Sequence, residues 1–256
     1  MNEAVLEAKD ISISFGGLKA VDKVSFEINN GEIMGLIGPN GAGKTTIFNL
    51  ITQFYKLDEG EIFFIGDDIT KLRPHNIIKK GISRTFQNVE LFKSMTVMDN
   101  LLVGQHSIID YNIVQGIFRT KKVKEEEKKA REKAYEILKI LGIEEYALFY
   151  ASHLPYGIQK LVELGRALVS NPKLIILDEP AAGMNDVETK EFSKKILQVK
   201  ENFDLTILLI EHDMSVVMSI CDRVIVLNFG KRIAYGTPEE IQSNPEVIKA
   251  YLGEEV

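Results

Sequence analysis

Two segments far apart in the chain constrain its fold more than any other feature. The first is Gly38-Pro39-Asn40-Gly41-Ala42-Gly43-Lys44-Thr45: a glycine, four residues, then Gly-Lys-Thr, the pattern of a loop that cradles phosphates. The apolar stretch Ile33-Met34-Gly35-Leu36-Ile37 before it reads as a strand, and Thr46-Ile47-Phe48-Asn49-Leu50-Ile51 after it reads as a helix. That order of strand, loop and helix is the context the pattern requires. The second segment, Leu174-Ile175-Ile176-Leu177-Asp178-Glu179-Pro180, reads as a buried strand ending in two adjacent carboxylates. Together the two predict hydrolysis of a nucleoside triphosphate.

The chemistry accounts for the residue types. Glycines let the backbone curl so that its N–H groups face an anion, and the helix that follows points its positive end at the same place. Residues Gly38, Pro39, Asn40, Gly41, Ala42, Gly43, Lys44, Thr45 and Thr46 therefore form the expected nucleotide-binding set. Lys44 can set a point charge between the β- and γ-phosphates. The Thr45 hydroxyl can ligate Mg²⁺, a hard cation that prefers oxygen, and Asp178 can hold the same ion through water. Glu179 is then placed to orient or deprotonate the attacking water.

Composition agrees with a soluble enzyme. A chain of 256 residues, 45% of them hydrophobic, can bury a substantial core as one large domain or a domain with an inserted lobe. The net charge of −6 does not suggest a general nucleic-acid partner. A single cysteine, Cys221, excludes an internal disulfide and fits a reducing compartment as a small core residue. Met1-Asn2-Glu3-Ala4 has neither the basic start nor the apolar run of a signal peptide. Apolar runs such as Ile207-Leu208-Leu209-Ile210 are far shorter than the roughly 20 residues of a membrane span.

The expected fold class is α/β: a phosphate-loop core with a mostly parallel sheet, an N-terminal antiparallel β layer and an inserted α-helical lobe. Short strands at 11–15 and 24–28 flank a Gly16-Gly17 turn, and residues 60–66 form another bounded strand. From Ser94 to about Ser170 the pattern turns helical, with Ala130, Ala134, Ile137, Leu138 and Leu141 at helical spacing. Glu125 with Lys129, and Glu127 with Arg131, read as i,i+4 pairs on a solvated face. Alternation then resumes, with strands at 174–177, 206–210 and 223–227 and helices through 188–200 and 214–220. The expected organisation is 1–86 for the antiparallel layer and first part of the core, 87–170 for the helical lobe, and 171–256 for the rest of the core with a C-terminal tail.

Further segments lie in a fixed order around the two phosphate motifs. Ile82-Ser83-Arg84-Thr85-Phe86 leads to Gln87; Leu154-Pro155-Tyr156-Gly157-Ile158-Gln159-Lys160 leads to Leu161-Val162-Glu163-Leu164-Gly165-Arg166-Ala167-Leu168; and Ile210-Glu211-His212-Asp213 ends a late strand. In this order they resemble the ATP-binding cassette ATPases over essentially the whole chain. The resemblance implies ATP and Mg²⁺ as cofactors. It matches Phe15 to an aromatic that stacks on adenine, with Ala20 beside it among the nucleotide contacts. It matches Gln87 to a glutamine that touches Mg²⁺ and the water and couples the site to a membrane partner, and His212 to a switch histidine on the γ-phosphate. Tyr156, Gly157, Ile158 and Gln159 fall in the signature segment, and Ala182, Gly183 and Asn185 in a second interface loop. His75, His106 and His153 match no role.

A finer likeness runs through residues 81–87, Met95-Thr96-Val97-Met98-Asp99-Asn100-Leu101-Leu102-Val103-Gly104-Gln105-His106, Pro180-Ala181-Ala182-Gly183-Met184-Asn185 and the tail Ile248-Lys249-Ala250-Tyr251-Leu252-Gly253-Glu254-Glu255. It is similar to the ATP-binding subunits of branched-chain amino-acid importers. It implies a peripheral subunit on the inner face of the cell membrane. Such a subunit forms a head-to-tail dimer with a second ATPase subunit, sits on integral-membrane permeases and is served indirectly by an external binding protein. The chain departs from the broad signature Leu-Ser-Gly-Gly-Gln: Pro155 stands at the serine, Tyr156 at the first glycine and Ile158 at the glutamine, while Asn185 replaces the usual interface aspartate. A lipid or lipopolysaccharide exporter subunit and a soluble cassette ATPase outside transport remain the alternatives.

Overall fold

The computed structural model describes residues 3–85, 89–105 and 121–252. β1 (Ala4–Phe15) and β2 (Leu18–Asn29) form an antiparallel hairpin that turns at Gly16-Gly17. Both strands run 12 residues, well beyond the 11–15 and 24–28 read from the sequence. Polar stretches such as Lys9-Asp10 do not end them, because the ladder continues through register shifts between Ala8 and Ile11 and between Ile11 and Ile13. Such bulges re-aim side chains without ending the pairing. β4 (Glu59–Phe64) pairs with β1, and β5 (Asp67–Asp68) with β4, giving an antiparallel sheet in the order β2-β1-β4-β5.

The second sheet holds β3 (Ile33–Ile37), β6 (Ile82–Arg84), β7 (Leu174–Asp178), β8 (Thr206–Ile210), β9 (Arg223–Asn228) and β10 (Lys231–Gly236). Its order is β10-β9-β3-β8-β7-β6, parallel throughout except for the β9–β10 hairpin. Every residue of β3, β7 and β8 is buried. Successive side chains point to opposite faces, so these strands feed two cores. Ile175, Leu177, Ile207 and Leu209 join the core that includes Leu101, Ile137 and Leu164. Leu174, Ile176, Leu208 and Ile210 join Leu6, Ile11, Ile62 and Phe64 of the antiparallel layer. Burial on both faces is why the strands read as continuous apolar runs rather than as alternation.

α1 (Lys44–Ile51) springs from the glycine-rich loop, and α2 (Pro74–Lys80) precedes β6. Between β6 and β7 lie α3 (Val97–Gly104), α4 (Lys121–Leu141) and α5 (Tyr156–Leu168). Ala130, Ala134, Ile137, Leu138 and Leu141 form the buried stripe of α4, as their spacing predicts. Its charged face pairs differently from expectation: Lys129 bonds Glu126 at 3.2 Å and Lys128 lies 3.7 Å from Glu132. Both i,i+3 and i,i+4 neighbours are in reach on a helix, and exposed pairs choose between them for a few tenths of a kcal/mol. Fully buried Asn100 gives α3 a fixed approach: its Nδ2 donates to the Phe92 and Thr96 carbonyls, and its Oδ1 accepts from the Phe92 N–H.

α6 (Asp186–Phe203), α7 (Met214–Ile220), α8 (Pro238–Gln242) and α9 (Pro245–Leu252) complete the chain. α6 starts earlier than the 188 expected, because Asn185 caps it. The Asn185 Oδ1 accepts from the Val187 and Glu188 N–H groups, and the Glu188 carboxylate accepts from the Asn185 N–H.

Candidate active site

The loop after β3 is built around glycines that nothing else can replace. Gly43 has φ +106°, and a Cβ there would stand 2.7 Å from the Ala20 carbonyl oxygen. It occupies the N-cap of α1 with no side chain spent on capping, so the first-turn N–H groups of α1 stay available to an anion. Lys44 folds back under the loop and is buried; its Nζ donates to the Gly38 and Pro39 carbonyls at 2.7 and 3.2 Å. Burial pulls its pKa below the usual lysine value, opposed by Glu179 and Asp178. A cavity of about 430 Å³ opens beside it. Residues 40–46 form its floor, Leu18, Lys19 and Ala20 one wall, and Phe229, Gly230 and Glu179 its remaining border.

Asp178 ends β7 and is buried. Its carboxyl is pushed up to about 6, first by burial and then by the charges of Glu179 and Glu211, against the pull of Lys160 and Lys44. Glu179 leaves the strand with φ +45°, and its N–H donates to the Ile210 carbonyl at 2.9 Å. That left-handed step is costly for a residue with a Cβ and turns the carboxylate into the cavity. The His212 Nδ1 lies 3.6 Å from the Glu179 Oε1.

Three buried charges that sequence reasoning did not single out stand behind this pair. Glu211, 1% exposed, accepts from the Ala181 N–H at 3.1 Å and the His212 N–H at 3.2 Å. It thereby joins the segment after Glu179 to the one carrying His212. Burial pushes its pKa up, and those N–H groups push it back. Lys160 and Glu163 are buried on α5. Burial lowers the Lys160 pKa, opposed by Glu163, Glu211, Asp178 and Glu179. The available signal was an acid placed directly after an all-apolar strand, and an opposite-charge i,i+3 pair on the helix after the signature.

The predicted residues separate into groups. Asn40 to Thr46, Ala20 and Glu179 share the cavity; Gly38 and Pro39 bind Lys44 behind it. Phe15 does not line it. The ring of Phe15 is partly exposed and packs edge-on against Tyr55, with centroids 5.1 Å apart. Gln87 and His106 lie outside the described residues. Tyr156, Gly157, Ile158 and Gln159 open α5 away from the cavity, and Gln159 bonds back to the Leu154 carbonyl. The Tyr156 hydroxyl donates to the Ala182 carbonyl at 3.2 Å, and its ring covers Gly183. Ala182 in turn donates its N–H to the Glu179 carbonyl at 3.1 Å, so the start of α5 meets the segment that follows Glu179. Asn185 serves as the cap of α6.

Residues 21–182 match the ABC transporter family, and residues 231–256 match the branched-chain amino acid ATP-binding cassette transporter family. The chain is 44% identical to the high-affinity branched-chain amino acid transport ATP-binding protein BraF of Pseudomonas aeruginosa, over 99% of this chain and 100% of that one. It is likewise 44% identical, with the same coverage, to LivG of Escherichia coli K12, which bears the same description. Among solved structures it resembles the ADP conformation of an ATP-binding cassette of an ABC transporter, with a TM-score of 0.86 and 38% identity over 98% of this chain and 100% of that one. A family match over most of the chain, together with relatives of this identity along its full length, establishes that the chain belongs to the ABC transporter family.

Proposed function

We propose that the chain is the ATP-hydrolysing subunit of a branched-chain amino-acid importer. The observation that carries the chemistry is the meeting of Lys44, Thr45 and Glu179 around one cavity, with Asp178 buried at the adjoining strand end. ATP phosphates occupy the curl of residues 38–45, and Lys44 exchanges its carbonyl partners for phosphate oxygens. Glu179 takes the proton of the attacking water. His212, beside it, steadies the γ-phosphate. Among the described residues no three His, Cys, Asp or Glu side chains gather into a closed metal site. Thr45 and Asp178 offer one hydroxyl and one carboxylate, a set that suits Mg²⁺, which binds through one or two protein oxygens and the substrate phosphates. The Thr45 hydroxyl and Asp178, with Gln87, would hold the ion, which when bound neutralises phosphate charge.

The importer reading rests on the relatives' names and the matched C-terminal segment. No described helix is long and apolar enough to cross a membrane. On the importer reading, the subunit acts from the inner face of the membrane on separate permeases, paired head-to-tail with a second ATPase subunit. One surface suits the permease. Phe92, Met95, Leu148, Phe149 and Tyr150 are exposed, Leu148 at 81%. The backbone bonds Val97 N–H to Phe149 O and Ala151 N–H to Met95 O knit their segments into one apolar patch. Purification of the complex from native membranes tests the reading. An amino-acid permease and a second ATPase subunit are expected; a lipid-export permease, or ribosomes or DNA, would replace it with one of the alternatives.

If Phe15 stacks on the base, Phe15→Ala weakens ATP and GTP alike, by about 1–3 kcal/mol, since stacking reads any π face. Calorimetric titration of both nucleotides checks this. Strong rejection of GTP by the wild type would show that hydrogen bonds read the base instead.

A further inference from the structure

The two-residue turn between β9 and β10 holds an anomaly. Asn228 pairs with Lys231, so Phe229 and Gly230 are its central residues, with φ of +45° and +75°. A hairpin turn with positive φ at both positions normally takes Asn-Gly, Asp-Gly or Gly-Gly, because a bulky side chain in the left-handed region is strained. Phe229 is nevertheless there, and it is the most exposed large apolar side chain described, at 86%.

The turn cannot relax away. The Gly230 N–H donates to the Ala42 carbonyl of the glycine-rich loop at 3.0 Å, and the Asp22 N–H donates to the Gly230 carbonyl at 2.9 Å. Gly230 lies so close to Ala20 that a Cβ there would stand 2.7 Å from the Ala20 carbonyl oxygen. The turn is thus held at the border of the cavity above Lys44, which Phe229 and Leu18, 73% exposed, both line. Backbone strain of this kind clusters at ligand sites; the similar Ile65-Gly66 turn between β4 and β5 also carries an exposed apolar residue at positive φ, but only Phe229 of the two borders the cavity above Lys44. Phe15, by contrast, already has an aromatic partner in Tyr55.

We propose that Phe229 is a nucleotide-binding residue: its ring takes the face of the base whose phosphates lie in residues 38–45. This rests on the ATPase reading above and adds to it a second aromatic contact from the opposite end of the chain. Base–aromatic stacking contributes an affinity factor of about 5- to 100-fold and tolerates any base.

The test is Phe229→Asn in the full-length chain. Asparagine accepts the left-handed conformation and keeps the turn, but removes the ring. ATP and GTP affinity measured by calorimetry should fall together by about 5- to 100-fold. Affinity for inorganic tripolyphosphate, which has no base, should stay unchanged, and the thermal midpoint should rise by about 2–4 °C as the strain is relieved. A residue with a merely structural role would move the midpoint the other way. Unchanged ATP and GTP affinity overturns the proposal, including the case where assembly with the partner subunit suffers instead. An equal loss of tripolyphosphate binding also overturns it, since the loop and not the base contact would then be damaged. Failure of the wild-type chain to bind ATP would overturn the ATPase reading itself; normal wild-type binding matched by the variant overturns only this inference.

Discussion

Glu179→Gln is expected to leave ATP binding intact and to lower turnover by about 10²–10⁴-fold, the usual effect of removing a general base. The substitution is isosteric. The main-chain bond from Glu179 to the Ile210 carbonyl that sets its direction does not involve the side chain. Lys44 keeps its place in the loop, so the phosphate cradle persists while the water loses its proton acceptor. ATP-bound, closed dimers should accumulate. Phosphate release by the assembled complex, alongside ATP titration, checks both halves of the expectation; near-normal turnover would remove Glu179 from this role. Lys44→Ala provides the contrast, since it should weaken nucleotide binding itself.

If the proposed head-to-tail pairing holds, the second large effect expected is an inequality between the two ATP sites of the complex. The N-cap of α5 is Pro155, with φ −54° and ψ 149°, and no side chain caps the helix. The helices that begin after Thr96, Asn185, Asp213 and Thr237 all have side-chain caps. The resemblance to the cassette ATPases implies that a signature serine offers a hydroxyl and an N–H to the nucleotide of the partner; proline has neither. A hydrogen bond to a charged group contributes about 1.5–3 kcal/mol, so the site using this chain's signature should be weaker by about 10–100-fold. The site using Lys44, Asp178 and Glu179 of this chain, closed by the partner's signature, should carry most of the flux. Glu179→Gln should therefore abolish most ATPase and uptake activity, and the matching substitution in the partner should leave more. Steady-state ATPase of the two single variants decides it. Equal losses, or a greater loss from the partner's variant, would mean that the free first-turn N–H groups of Tyr156 and Gly157 compensate for the serine.

The continuous apolar runs of the core strands, the stripe on α4 and the two phosphate motifs were legible because each is a local pattern. A strand buried on both faces must be apolar throughout, and a loop that wraps an anion must lack Cβ atoms at fixed positions. The hairpin strands were underestimated because their polar residues belong to a solvated face and to bulges, which break periodicity without breaking the ladder. The salt bridges of α4 were misassigned because exposed pairs at i,i+3 and i,i+4 are nearly equal in energy.

By itself, then, the sequence determined the α/β class, the phosphate loop and the paired carboxylates, all of them set by residues adjacent in the chain. Tertiary structure alone decided which charges are buried together and which ring borders the nucleotide cavity. Glu211 meets the segment after Glu179 only because β7 and β8 lie side by side. Lys160 reaches the same carboxylates only because α5 packs over them. Phe229 borders the cavity only because the β9–β10 turn is bonded to the glycine-rich loop, and Phe15 packs against Tyr55, a residue 40 positions along the chain. Spacing along a chain specifies the period of each element; which side chains meet across elements is set by the packing of the whole fold, where burial and hydrogen bonding must be satisfied at once.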